Sequence, residues 1–164
     1  LHDSYETSDG ALILVLEEIK GSNLIDYFIN SSVNLEETDN RVKVDEKNVS
    51  LYIKQLLECL KILHSRNIVH LDIKPDNIII DNKTSKLKLL GFTHSKCLEA
   101  NSFSNNELDY YHDYGDPEWI APEIISKKPI TLNTDMWSIG VLTFTLIFGK
   151  SPFYNQVTKQ TLKN

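Results

Sequence analysis

His70-Leu71-Asp72-Ile73-Lys74-Pro75-Asp76-Asn77 brings a histidine, two carboxylates, an amine and a carboxamide into one short turn. Its neighbours on both sides are readable. Upstream, the spacing predicts a helix over Glu46–His64 with Asp45 as its N-cap. Val49, Ile53, Leu56, Leu57, Leu60 and Leu63 recur on one face of it at helical spacing, so that face is expected in the core. Downstream, residues 78–80 and 87–90 read as two short strands joined by the turn Asp81-Asn82-Lys83-Thr84. The quoted stretch is therefore a polar turn set between a buried helix and a hairpin.

Further out, residues 11–16 form a continuous apolar run entered through Thr7-Ser8-Asp9-Gly10, which predicts a strand with residues 1–6 as its hairpin partner. A short helix is expected over residues 23–29, then a polar loop over 30–44. Residues 101–113 are rich in Ser, Asn and Asp and are expected to be mobile. A final buried helix is expected over residues 135–148, capped by Thr134.

Composition narrows the function classes. Lys and Arg number 17 against 23 Asp and Glu, a net charge of −6, so the chain lacks the basic footprint of a nucleic-acid binder. Cys59 and Cys97 are the only cysteines and have no second pair to build a zinc site, which fits a reduced intracellular setting, cytoplasmic or nuclear. The longest apolar run, residues 137–148, falls short of the roughly 20 residues a membrane span needs. The chain opens at Leu1 and Met136 is its only methionine, as expected of a piece of a longer product or of a processed terminus.

The quoted stretch resembles the catalytic loop of protein kinases, H-R-D-x-K-x-x-N in the Ser/Thr group. The form with Leu after His is similar to that of the death-associated and myosin-light-chain kinases of the calmodulin-dependent group. Two more segments stand in the family's order. Gly115-Asp116-Pro117-Glu118-Trp119-Ile120-Ala121-Pro122-Glu123 looks like the segment closing a kinase activation loop. Asp135-Met136-Trp137-Ser138-Ile139-Gly140-Val141 resembles the start of the large lobe's central helix. The fold implied is α+β and protein-kinase-like: a mainly helical C-terminal lobe with short β hairpins at the nucleotide face, the N-terminal lobe largely missing. Residues 1–19 would end the small lobe and form the hinge; residues 20–164 would belong to the large lobe.

The resemblance also implies roles. Asp72 would be the base that takes the proton of a substrate hydroxyl, and Lys74 would neutralise charge on the transferred phosphoryl group. Asn77 would ligate Mg²⁺ or Mn²⁺ through a hard oxygen. ATP would contact Leu16, Glu17, Ile19, Asn23, Asp76 and Ile79. Of these, Glu17 and Ile19 would use hinge backbone, Leu16 would guard the back of the pocket, Ile79 would floor the adenine and Asn23 would stand at the ribose. Lys two residues after the Asp points to Ser/Thr rather than Tyr in protein substrates. The resemblance implies no nucleic-acid or membrane partner, and leaves room for a calmodulin-binding or regulatory segment outside these residues. Residues 1–164 by themselves are expected neither to hold ATP tightly nor to transfer phosphate.

Four positions depart from the family: Gly91, Thr93 (at the usual Gly), Asp116 and Leu71. Where it has K-x-x-D-F-G this chain has Lys88-Leu89-Leu90-Gly91-Phe92-Thr93, so the metal-holding Asp is replaced by Gly91. Asp116 stands where relatives carry Thr, and its carboxylate would compete for Lys74. Leu71 replaces an Arg that often binds an activation-loop phosphate, although Ser95, Ser102 and Ser104 remain candidate modification sites. Two readings stay open: an active kinase with a degenerate metal motif, or a pseudokinase acting as a scaffold or allosteric binding module. A small-molecule phosphotransferase shares the His-x-Asp loop but lacks the Ala121-Pro122-Glu123 closure.

Overall fold

A computed structural model describes residues 1–31, 45–98 and 117–153. Most of the polar loop at 30–44, the Ser/Asn-rich stretch at 101–113, and Ser102, Ser104, Gly115 and Asp116 lie outside the described residues.

The first two strands, β1 (Asp3–Glu6) and β2 (Leu12–Val15), form an antiparallel hairpin in which Asp3 faces Val15 and Glu6 faces Leu12. The apolar run at 11–16 is thus a strand, one residue shorter at each end than expected. It is exposed throughout, with Leu12 at 67% and Leu14 at 53%. Its turn is closed by the Thr7 hydroxyl, which accepts from the Ala11 amide at 2.9 Å.

A three-residue strand, β3 (Gly21–Asn23), leads into α1 (Leu24–Ser31). The helix runs past the expected end at 29. Gly21 is required where it stands, because a Cβ there would lie 2.1 Å from the Ile80 carbonyl oxygen. Helix α2 (Glu46–His64) has the expected bounds, and the Asp45 carboxylate accepts from the Lys47 amide at 3.0 Å. Its buried face is Val49, Tyr52, Leu56 and Leu60. Leu57, expected on that face, is 38% exposed, and Tyr52 takes its place. The Tyr52 ring meets Tyr27 and Phe28 of α1 edge-on, with centroids at 5.2 and 5.9 Å, and so fills the gap between the two helices.

Beyond α2 come β4 (Ile68–Val69), a 3₁₀ turn at Pro75–Asn77, β5 (Ile78–Asp81), β6 (Leu87–Leu89), a second 3₁₀ turn at Phe92–His94 and β7 (Lys96–Cys97). Strands β3, β5 and β6 form one antiparallel sheet in that order, and β4 pairs with β7. The β5–β6 turn is longer than the four residues expected: Asp81 stays in the strand, and its N–H donates to the Lys86 carbonyl. The Asp81 carboxylate accepts from the Lys83 and Thr84 amides, the usual way Asp closes such a turn.

A short helix, α3 (Pro122–Ile125), precedes α4 (Thr134–Phe148). Thr134 is the first helical residue of α4, and Asn133 is its N-cap, without a side-chain capping bond. The Thr134 hydroxyl instead accepts from the Thr131 amide at 3.0 Å, and that bond draws the residue into the helix. Nor is α4 buried all round: Trp137, Phe148 and Met136 are 38%, 60% and 43% exposed.

The main core joins α1, α2, the β3–β5–β6 sheet and the inner face of α4, through Leu24, Leu56, Leu60, Ile78, Ile80 and Leu142. The expectation that α2 and α4 form the core is met on one face of each. A second cluster, Val69, Leu71, Ala121 and Ile124, couples the 68–72 backbone to α3.

Candidate active site

The loop at 70–77 is shaped by a single buried carboxylate on α4. Asp135 is 1% exposed. Its Oδ2 accepts from the His70 amide at 3.0 Å and its Oδ1 from the Leu71 amide at 2.9 Å. His64, in the last turn of α2, brings its Nε2 to 2.8 Å from the same Oδ2. These bonds hold Leu71 at φ 66, a left-handed conformation that costs a non-glycine residue and persists only where surrounding contacts fix it. The Leu71 side chain is buried in the apolar cluster with Ala121 and Ile124.

His70 is fully buried and works as a two-sided spacer. Its Nδ1 accepts from the Asp72 amide at 3.2 Å, so the proton sits on Nε2, which donates to the Leu90 carbonyl at 2.9 Å. Burial pushes the imidazole below its ordinary value, against the opposing pull of the Leu90 carbonyl, Asp135 and Asp72. The Phe92 ring stands edge-on to it at 4.9 Å.

The three residues expected to carry chemistry come together. Asp72 Oδ1 lies 2.9 Å from Lys74 Nζ. Asn77 Nδ2 donates to Asp72 Oδ2 at 2.7 Å and to the Asp72 carbonyl at 2.8 Å. Both side chains of the ion pair are mostly covered, at 13% and 20% exposure, so the carboxylate is held in one orientation while remaining reachable.

The residues expected at a nucleotide lie on or beside the three-stranded sheet. Asn23, Ile79 and Lys88 share one cross-strand row, on the face opposite the buried Ile78 and Ile80. Ile79 is half-buried there. Leu16 is 60% exposed at the end of β2. The Glu17 carboxylate reaches across to Lys88 Nζ at 2.9 and 3.1 Å. Ile19 is partly covered and Asp76 is exposed. The Asn23 side chain serves the helix that follows it. Its Oδ1 accepts from the Asp26 amide at 2.9 Å and its Nδ2 donates to the Asp26 carboxylate at 2.6 Å, a reciprocal cap on α1. Lys88 is a residue that sequence reasoning misses as part of this face. It belongs to the K-x-x-D-F-G comparison, but only its register beside Ile79 reveals where it points.

A divalent cation finds a poor donor set. Gly91 supplies no side chain, and the Asn77 carboxamide lies where one would go, with its nitrogen committed to Asp72. Among the described residues no group of three His, Cys, Asp or Glu side chains could hold a metal. One neutral carboxamide oxygen does not match the octahedral oxygen shell of Mg²⁺.

The whole of residues 1–164 matches the protein kinase domain. This chain belongs to the protein kinase family. It is 37% identical over its full length to serine/threonine-protein kinase 17A of Oryctolagus cuniculus, covering 38% of that protein. It is 33% identical to death-associated protein kinase 2 of Mus musculus, covering 40% of it. It is also 34% identical to the striated muscle preferentially expressed protein kinase of Danio rerio, of which it covers 5%. The chain therefore spans about two fifths of the length of the first two relatives. The resemblance to death-associated kinases drawn from His70-Leu71-Asp72 is met, and so is the α+β kinase-like fold. No described helix is long and apolar enough to cross a membrane.

Proposed function

We propose that this chain forms the catalytic-loop part of a protein serine/threonine kinase whose metal site has degenerated. The observation that carries the reading is the Asp72 carboxylate, held between Lys74 Nζ at 2.9 Å and Asn77 Nδ2 at 2.7 Å. A carboxylate fixed in this way can accept the proton of a Ser or Thr hydroxyl as its oxygen bonds the γ-phosphorus of ATP and ADP departs. Lys74 is placed to hold the negative charge gathering on the transferred group. The adenine would lie on Ile79, with Leu16 and the backbone of Glu17 and Ile19 along its edge and Asp76 near the ribose. Asn23, whose side chain caps α1, would adjoin the ribose without being free to grasp it. Asn77, the expected metal ligand, supports Asp72 instead, and no step is assigned to a metal. Residues 1–19 would be the end of the small lobe and the hinge. The substrates would be cytoplasmic or nuclear proteins.

A pseudokinase is the second reading, favoured by one observation: Gly91 brings no carboxylate of its own to the Asn77 side chain that it faces. The test is transfer of labelled γ-phosphate by the full-length protein in Mg²⁺, in Mn²⁺ and in EDTA, beside Asp72→Asn. Transfer that drops about 10²- to 10⁴-fold in the variant establishes the kinase. No transfer from the folded protein in any buffer establishes the pseudokinase.

A further inference from the structure

Gly91 is more than a missing ligand. It adopts φ 81 and ψ 44, a left-handed conformation that side-chain-bearing residues rarely take. A Cβ built on it would lie 2.4 Å from Asn77 Cγ, 2.5 Å from Asn77 Nδ2 and 2.5 Å from Asn77 Oδ1. All three distances are below any contact a carbon makes, and all three are to one carboxamide.

That carboxamide is not a flexible end that could swing away. Its nitrogen makes two bonds to Asp72, to the carbonyl at 2.8 Å and to Oδ2 at 2.7 Å. The Asn77 backbone is pinned as well: its amide donates to the Lys74 carbonyl at 3.0 Å and its carbonyl accepts from the Leu90 amide at 2.8 Å. On the other side, the Leu90 carbonyl next to Gly91 is held by His70 Nε2 at 2.9 Å. Neither wall of the contact can yield without breaking bonds to the buried His70 or to Asp72.

We infer that Gly91 and Asn77 are an interlocked pair: the Asn77 carboxamide occupies the volume of a position-91 side chain and braces Asp72 in place of a divalent cation, so that nucleotide binding here is indifferent to Mg²⁺. The charges agree. Asp72 is balanced by the Lys74 ammonium on one oxygen and by the Asn77 amide dipole on the other, so the Asp72–Lys74 pair itself carries no net charge to attract a cation. The clause on nucleotide binding rests on the kinase reading; the interlock does not.

The test has two arms, both on the full-length protein. In the first, thermal unfolding is measured for Gly91→Ala, Asn77→Ala and the double variant. Asn77→Ala removes all three atoms that the new Cβ meets, so Gly91→Ala should lower Tm by several degrees in the parent and much less in the Asn77→Ala background. Single effects that simply add overturn the interlock. In the second arm, N-methylanthraniloyl-ATP is titrated in Mg²⁺ and in EDTA. Dissociation constants within about threefold of each other are expected, for the parent and for Gly91→Asp alike, and tightening by Mg²⁺ of about tenfold or more in either protein overturns the inference. Absence of nucleotide binding in both buffers refutes the kinase reading and with it the clause on nucleotide, while the unfolding cycle still decides the interlock.

Discussion

The catalytic loop and the β1–β2 hairpin are held in opposite ways. The loop is tied residue by residue to buried groups: Asp135 takes the His70 and Leu71 amides, His70 takes the Asp72 amide, and Asn77 and Lys74 take the Asp72 carboxylate. The hairpin is exposed at every strand residue and is closed by its own turn. The chain just after it is fastened to the sheet by the exposed Glu17–Lys88 pair and by the Asn82 amide on the Lys20 carbonyl. The groups proposed to act on phosphate are thus positioned by buried bonds to α4, to α2 and to Leu90 just after β6. The groups proposed to hold the base depend on a segment whose own stabilisation is local and wet. Damage to the first should be felt throughout the fold, and damage to the second should stay where it is made.

Asp135→Ala should show the largest effect. It leaves the His70 and Leu71 amides buried without an acceptor and strips His64 of its partner, a loss of about 3–5 kcal/mol measurable by urea unfolding. A change below about 1 kcal/mol would mean that the loop holds itself. Gly21→Ala comes next, since the new Cβ would meet the Ile80 carbonyl at 2.1 Å and push β3 off β5. About 1–3 kcal/mol is expected, with the loss confined to that sheet in hydrogen exchange. If the loop at 70–77 also loses protection, the two regions are less separate than their contacts imply.

A smaller effect is pH-dependent. The folded state holds His70 below its ordinary value, so the unfolded chain binds a proton first as pH falls. The His70 contribution is complete above about pH 6.5 and is lost as pH falls from there towards the lower folded value. Unfolding midpoints between pH 7.5 and about 5 should show this decline, and His70→Gln should remove its share of the slope. The smallest effect is expected at the hairpin. Glu17→Gln should leave Tm unchanged while amides at 12–20 exchange faster, and added salt should produce the same quickening in the parent. A clear drop in Tm would show that the hairpin is integral to the core.

Long periodic segments are legible in the sequence. The bounds of α2 and its Asp45 cap can be read because an acceptor precedes a sustained apolar period. The two- and three-residue strands β3, β4 and β7 cannot, since period-two alternation needs more residues than they contain. Apolar spacing favours Leu57 over Tyr52 because a hydroxyl-bearing ring reads as surface until Tyr27 and Phe28 are seen to enclose it. At the site, Asp72, Lys74, Asn77 and Gly91 can be picked out by their resemblance to the kinase motifs. Their mutual fit cannot: the carboxamide at 77 and the glycine at 91 are joined only by the return of β5 through the hairpin. Asn23 shows the converse case: its cap with Asp26 three residues on is a local signal, outweighed in the sequence by the expected place of a ribose.

Asp135 also bears on the order in which this molecule comes together. Its bond to the His70 amide joins residues 65 apart in sequence, and its bond to His64 joins residues 71 apart. Helix α2 and the β5–β6 hairpin can form from neighbouring residues, but the bend that aims Asp72 cannot form until α4 has docked. Contacts this distant are made late because the intervening chain must first be closed into a loop. During refolding, protection of the His70 and Leu71 amides should therefore rise in step with α4 and after α2. The reactive geometry is a late event of assembly, which keeps Asp72 and Lys74 from adopting their paired arrangement in a half-made chain.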